Sequence, residues 1–125
     1  MSEAKADFTN TFRALCDAAS GDAADAQVRA TLGEGWDGWA SRWRARLAEE
    51  PGIDHRAAMR AVNPWVIPRN HRVEEALAAA HRGDMAPFDA LAAVLARPFD
   101  EDGADPAFAN PPAPDERVLA TFCGT

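Results

Sequence analysis

The stretch NPWVIPRNHRVEEALAAAHRGD, Asn63 to Asp84, decides the fold because a fixed corner is followed directly by a helix. Pro64 and Pro68 lock the backbone φ angle at two points four residues apart. The residue before a proline avoids the α region, so the helix that precedes this stretch must end before Pro64. The residues between the two prolines are therefore predicted to run extended.

The helix after the corner has recognisable start and stop signals. Asn70 is predicted to cap its first turn, and Gly83 suits the position just after its last residue. Arg69 lies beside the cap and is a candidate to bind a carbonyl or a carboxylate. We interpret the segment from Asn63 to Asn70 as an architectural corner and keep the binding role of Arg69 as the alternative.

Apolar residues recur at helical spacing on both sides of the corner, and Gly or Pro residues separate the repeats. The stripes are Phe8, Phe12, Leu15, Cys16 and Ala19; Trp36, Trp39, Trp43 and Leu47; Met59 and Val62; and Phe88, Leu91, Val94 and Leu95. We predict an all-α fold, a single compact bundle of about five to six helices. The predicted domains are a helical domain, residues 1–97, and an extended, Pro- and acid-rich tail, residues 98–125, which ends in Cys123.

Two of these stripes contain residues with possible chemistry. The tryptophan stripe is interpreted as core, because tryptophans at helical spacing usually pack inward; a ligand platform is the alternative. Cys16 lies on the apolar face of the first helix, where a buried and inert thiol is expected. Asp7 and Asp54 are the predicted N-caps of two helices.

The charge balance limits the partners. The formal net charge is −7, which argues against nucleic acid or an anionic membrane as the main partner. The middle of the chain, from Arg42 to Arg82, is rich in arginine. We interpret it as a solvated helix face, with an anion site as the alternative. The start, MSEAKADFTN, has no apolar run, no stretch is long enough to cross a bilayer, and we expect a cytoplasmic protein.

The residues alone predict no catalytic, cofactor or metal site. The histidines at positions 55, 71 and 81 lack metal-ligand spacing, and LGEGWDG lacks the strand–loop–helix context of a phosphate loop. The acids at positions 100, 101, 102 and 105 match a calcium loop only loosely, without its later glutamate. Cys123 is the exception, either an accessible thiol that reaches a partner cysteine or an incidental surface residue.

Five separated segments together resemble the selenoprotein O family, also called the YdiU family. They are FTNTFRAL, WASRWRARL, NPWVIPRNHRVEEAL, GDMAPFDALAAVLARPFDE and NPPAP with TFCGT, in the family's order over essentially the whole chain. One departure lies in the tail, where Pro111-Pro112 is followed by Ala113, Pro114 and Asp115. Many family members have a tryptophan soon after that Pro-Pro pair.

The resemblance implies a C-terminal region only. In the family, a kinase-like body binds ATP with Mg²⁺ or Mn²⁺ and transfers AMP to protein hydroxyls, and its nucleotide motifs have no counterpart here. No catalytic residue is carried over, so no cofactor is expected in this chain, and the kinase-like N-terminal body is the expected partner. Cys123 matches the family's terminal cysteine or selenocysteine, which implies a redox link to a cysteine of that body.

Three functions follow as hypotheses. The first is a non-catalytic helical domain of a protein adenylyltransferase, which predicts an exposed apolar surface at Trp65 to Ile67 or at the tryptophan stripe. The second is a free-standing protein-interaction module without enzymatic activity. The third is a small thiol enzyme built on Cys123, which the sequence supports least because neither Phe122 nor Gly124 lowers a thiol pKa.

Overall fold

The computed structural model describes residues 6–21 and 24–118, and all the regular secondary structure in these residues is helical. The α-helices are α1 (Phe8–Ala18), α2 (Asp25–Leu32), α3 (Gly35–Ala48), α4 (His55–Arg60), α5 (Asn70–His81) and α6 (Ala86–Leu95). Two 3₁₀ helices follow, Pro106–Phe108 and Pro114–Glu116. The predicted all-α class with about five to six helices is confirmed, and the described residues contain no strand.

The chain divides into two compact units, Met1–Trp65 and Val66–Thr125. The boundary falls inside the corner between Pro64 and Pro68. The division predicted from the sequence is a different one, which separates the helices from the tail at residue 98, and it stays a prediction.

The first unit is built on α1, which packs against α2 and α4, while α2 packs against α3. Its core consists of Ala14, Leu15, Ala18, Val28, Trp36 and Ala40. The predicted caps are confirmed, because the Asp7 carboxylate accepts from the Asn10 amide at 2.9 Å and the Asp54 carboxylate from the Ala57 amide at 3.0 Å. Phe8 was predicted on the buried face of α1, but it is largely exposed and its ring contacts that of Phe12 at a tilted angle.

Arg13 closes the carboxyl end of α4. Its side chain is buried, and Nη1 donates to the carbonyl oxygens of Arg60 at 3.3 Å and Asn63 at 3.1 Å. The last carbonyls of a helix have no partner within the helix, so a guanidinium from a neighbouring helix satisfies them here. Asp17, also on α1, accepts from Arg56 Nε at 2.8 Å and from Arg60 Nη2 at 2.9 Å. These contacts hold α4, the helix that precedes the corner, against α1.

Arg44 donates in the same way to the free carbonyls at the carboxyl end of α1. Its Nη2 donates to the carbonyl oxygens of Ala18 at 3.2 Å and Gly21 at 3.4 Å, and its Nη1 donates to Asp25 Oδ2 at 3.1 Å. One side chain of α3 thereby joins the end of α1 to the start of α2. The interpretation of the arginine-rich middle as a solvated face suits exposed Arg42 but is wrong for Arg44, because helix-end carbonyls and a carboxylate surround its guanidinium.

The second unit is centred on the α5–α6 hairpin. Gly83 has φ +85°, and the next amide, that of Asp84, donates to the Ala79 carbonyl at 3.0 Å, which confirms Gly83 as the residue that ends α5. The prediction that Asn70 caps this helix is wrong. Asn70 is already helical, and Arg69 holds the cap position with extended angles of φ −70° and ψ 131°. The chain turns into the helix one residue earlier than predicted.

The segment after α6 is attached to the rest of the second unit. The Val66 amide donates to the Pro98 carbonyl at 3.2 Å, which ties the corner to the exit of α6. Further along, Arg72 Nη2 donates to the Ala107 carbonyl at 3.4 Å, next to the end of the first 3₁₀ helix. The predicted Pro-rich tail therefore carries two short helices up to residue 118. None of the described helices combines the length and the apolar character needed to span a membrane.

Replacing Arg13 with methionine tests the closure of α4. The variant keeps a long side chain but removes the charged donor from two carbonyls, so we expect the free energy of unfolding to fall by about 2 kcal/mol. Arg42→Met is the control, because Arg42 is exposed on α3 and its replacement is expected to cost less than about 0.5 kcal/mol. Urea denaturation followed by tryptophan fluorescence measures both; equal losses would contradict the role of Arg13.

Candidate functional site

Cys123, the one residue that the sequence assigned to a redox site, lies outside the described residues. So do Leu119 and Phe122, two apolar residues near it in the sequence. The redox assignment of Cys123 stays a prediction. The last described residue before it along the chain is Val118, which is partly buried in the second unit.

Cys16 is a structural residue of α1. It is fully buried, and its Sγ lies 3.2 Å from the Phe12 carbonyl oxygen, to which it donates. Burial raises the pKa of this thiol, and the positive charge of Arg13 opposes that shift only in part. The prediction of a buried thiol is confirmed, and the raised pKa disfavours the reactive thiolate.

The histidines and acids do not assemble a metal centre in the part of the chain that the structure describes, where no three His, Cys, Asp or Glu side chains converge. His55 lies with Nε2 3.0 Å from the Leu47 carbonyl oxygen. His71 is buried at the start of α5, whereas His81 is exposed at its end. The three therefore occupy separate environments.

The tryptophans of α3 form one aromatic cluster that is only partly core. The ring centroids of Trp36 and Trp39 are 5.5 Å apart, and those of Trp39 and Trp43 are 5.1 Å apart with an angle of 22° between the planes. Trp36 is buried, Trp43 is partly buried, and Trp39 is 41% exposed. The core interpretation is thus right for Trp36 and wrong for Trp39. We call the stacked pair Trp39 and Trp43 the tryptophan face.

The tryptophan face has a rigid base. The Arg44 guanidinium lies 6.0 Å from the Trp36 ring centroid, within the range of a cation–π contact. The same guanidinium bonds to Asp25 and holds the pKa of that carboxyl below its usual range, so Asp25 remains charged at neutral pH. Because Arg44 also binds the end of α1, the helix that carries the tryptophan face is fixed to both neighbours.

The sequence predicted an exposed apolar surface either at the corner or at the tryptophan stripe, and the structure distinguishes between the two. Trp65 and Val66 are buried, so the corner does not offer such a surface. The tryptophan stripe does, through Trp39. Stacked aromatic rings with a buried support suit docking against another apolar surface. The roles of Arg13 and Arg44 were not predicted, because they depend on which helix ends pack beside these side chains.

Comparison with known proteins matches the full length of the chain to curated proteins named protein nucleotidyltransferase YdiU. The chain is 58% identical over 131 aligned positions to the protein from Bradyrhizobium sp. strain BTAi1 and 48% identical to that from Rhodopseudomonas palustris strain CGA009. Each match covers 100% of this chain and 26% of the relative. The protein from Rhizobium etli strain CIAT 652 is 51% identical over 96% of this chain and 25% of its own length.

The chain thus spans about a quarter of the length of the curated relatives it matches, in their C-terminal region. No protein-family model matches it, and no solved structure does either. The level of identity and the full coverage of the chain bear out the resemblance that its five segments suggested.

Proposed function

Because its whole sequence matches their C-terminal region, the chain belongs to the YdiU protein nucleotidyltransferases, and we propose that it is their non-catalytic helical support. In this proposal the transfer of AMP from ATP to protein hydroxyls belongs to the other three quarters of the protein, a kinase-like body. ATP and Mg²⁺ or Mn²⁺ bind there. The proposal is supported by the coverage, since the chain matches only about a quarter of each relative and the resemblance implies that the nucleotide motifs lie in the remainder.

The observation that carries the support function is the tryptophan face. Trp39 is 41% exposed and stacks on Trp43, which in turn packs against the core. Tryptophan is among the residues that contribute most to protein interfaces, and an anchor held in place before binding loses little side-chain entropy. A docking site for the remaining body needs exposed apolar surface, and the ring of Trp39, stacked on Trp43, provides it.

The body is the occupant that fits this surface best. Three quarters of the length of each relative lies outside the matched region, so the partner is available within the same protein. The tryptophan face also lies on α3, which Arg44 ties to the end of α1 and to the start of α2, and this suits a permanent contact more than a mobile one. A free-standing interaction module would use the same surface with another protein, and the binding experiment below separates the two.

Replacing Trp39 with alanine tests docking. Mixed with the separately produced body of a close relative, the 125-residue chain is expected to bind, and Trp39→Ala to weaken binding at least about tenfold. Phe8→Ala is the matched control, because Phe8 is also an exposed aromatic residue in contact with a second ring but lies on α1; we expect less than about a twofold change. Isothermal titration calorimetry gives both constants. No binding by the unaltered chain, or equal losses in both variants, would refute docking through the tryptophan face.

The non-catalytic role is tested by intact-mass spectrometry after incubation with ATP and Mg²⁺ or Mn²⁺. The chain alone is expected to gain no AMP, and AMP adducts are expected only when the body is present. An adduct on the chain incubated alone would overturn the proposal and indicate a nucleotide site among its own residues.

For Cys123 we propose a redox link to a cysteine of the body, as the resemblance implies. Two thiols would form one disulfide and release two protons and two electrons to an oxidant such as oxidised glutathione. The short distance along the chain from Val118, the last described residue of the second unit, to Cys123 supports a tether at this end of the chain.

Peptide mapping without reductant tests this link after the chain and body are treated with oxidised glutathione. We expect a cross-linked peptide that contains Cys123, its loss in Cys123→Ser, and its retention in Cys16→Ala, because Cys16 is fully buried. A cross-link that persists in Cys123→Ser, or none in the unaltered pair, would contradict the assignment.

A further inference from the structure

His71, in the first turn of α5, is a buried histidine whose ring has no polar partner. The residue is 8% exposed, both ring nitrogens are shielded from water, and neither has a hydrogen-bond partner within residues 6–21 and 24–118. Buried polar groups in folded proteins are almost always paired, so an unpaired imidazole has a cost that the rest of the fold must offset. The proposed support function does not use this residue.

His71 lies where α5 meets the end of the described chain, inside the second unit. We call residues 106–118 the C-terminal segment. His71 and Pro112 line the same cleft, and the next residue of α5, Arg72, donates from Nη2 to the Ala107 carbonyl at 3.4 Å. The first turn of α5 therefore contacts the C-terminal segment at two points, and a change in that turn also changes the contact.

The site accepts a neutral ring and disfavours a charged one. A cation buried without a hydrogen-bond acceptor costs far more free energy than a neutral imidazole in the same place. Burial is the largest cause of a lowered pKa at His71, and the positive charge of Arg72 comes next. The charge of Arg69, at the cap position of α5, acts in the same direction.

The carboxylates near the ring do not compensate for these effects. Glu116 and Glu75 both favour the protonated ring, but each has another partner. Glu116 accepts from the Ala113 amide at 2.8 Å, and Glu75 accepts from Arg72 Nη1 at 2.8 Å. Arg117 of the C-terminal segment lines the same cleft and adds a further positive charge. A proton on the ring therefore finds no acceptor in the closed site.

The sign of the pH dependence follows from this asymmetry. In an open chain the histidine titrates near its usual pKa of about 6.5, whereas in the closed site its pKa is lower. Between these two values the open state binds more protons, so the closed state is fully stable above about pH 6.5 and loses stability as the pH falls towards the lowered pKa. Within that window the equilibrium constant for opening rises by up to about tenfold per pH unit.

We propose that His71 is an acid-sensitive latch, which holds the C-terminal segment on α5 while its ring is neutral and releases it when the ring is protonated. The protonated ring needs water or an acceptor, and the closed site supplies neither. The C-terminal segment is the part that yields, because its regular structure consists of two 3₁₀ helices of three residues each, whereas α5 is packed along α6.

Hydrogen exchange of the ¹⁵N-labelled 125-residue chain, followed by NMR, tests the latch. The amides of Arg72 and Val73 both donate to the Arg69 carbonyl at 3.0 Å, so their exchange, corrected for intrinsic rates, reports opening of the first turn. From about pH 6.5 to about pH 5.5 we expect the opening constant to rise at least about threefold, with about tenfold as the limit. The ¹⁵N heteronuclear NOE of residues 106–118 is expected to fall over the same range.

Two variants without a titratable ring at this position separate the latch from general acid effects. His71→Phe keeps a buried ring and His71→Gln keeps a polar side chain, and in each we expect the opening constant to change less than about twofold over the same pH range. His81→Gln is the matched control, because His81 is exposed on the same helix, and it is expected to keep the full response of the unaltered chain.

The ring of the unaltered chain provides a readout that needs no variant. Its ¹H–¹³C shifts are expected to titrate below the usual histidine pKa of about 6.5 and below those of exposed His81. A His71 pKa at or above that value, an opening constant that does not change with pH, or an equal rise in His71→Phe and the unaltered chain would overturn the latch. The chain is measured alone, so failure of docking through Trp39 would leave these results unaffected.

Discussion

The structure depends on one recurring interaction, in which an arginine guanidinium from one element binds the carbonyl oxygens at the end of another. Arg13 binds the end of α4, Arg44 binds the end of α1, and Arg72 binds the Ala107 carbonyl of the first 3₁₀ helix. Short helices have a large share of carbonyls without internal partners, and α4 has only six residues. Each guanidinium both satisfies these acceptors and fixes the angle between two elements.

This interaction matters because each unit is small. A unit of about 60 residues buries only about 60% of the surface that its unfolded chain exposes, so its apolar core alone provides a narrow margin of stability. The core of the first unit contains three alanines beside Leu15, Val28 and Trp36. Polar contacts at the helix ends therefore add to the stability that large apolar side chains provide in bigger domains.

The sequence predicted what local chemistry determines. The caps Asp7 and Asp54, the helix stop at Gly83 and the buried Cys16 each follow from a residue and its near neighbours. The tryptophan stripe was predicted less well. At 100° per residue, Trp36 and Trp43 point within about 20° of each other, whereas Trp39 points about 60° from Trp36 and about 40° from Trp43. A narrow core therefore buries Trp36 and leaves Trp39 at its edge. The carbonyl partners of the arginines depend on how the helices pack, and no local pattern contains that information.

The one cap that the sequence misplaced lies at the start of α5, directly after the corner. Had Asn70 capped α5, its side-chain oxygen would have accepted from the first turn, and the helix start would have been satisfied internally. Because the chain leaves Pro68 extended through Arg69 and turns only at Asn70, the cap position holds a side chain with donors alone. A shift of one residue thus converts a closed helix end into a donor-rich one. The two prolines that make the corner rigid therefore also leave the start of α5 without a side-chain cap.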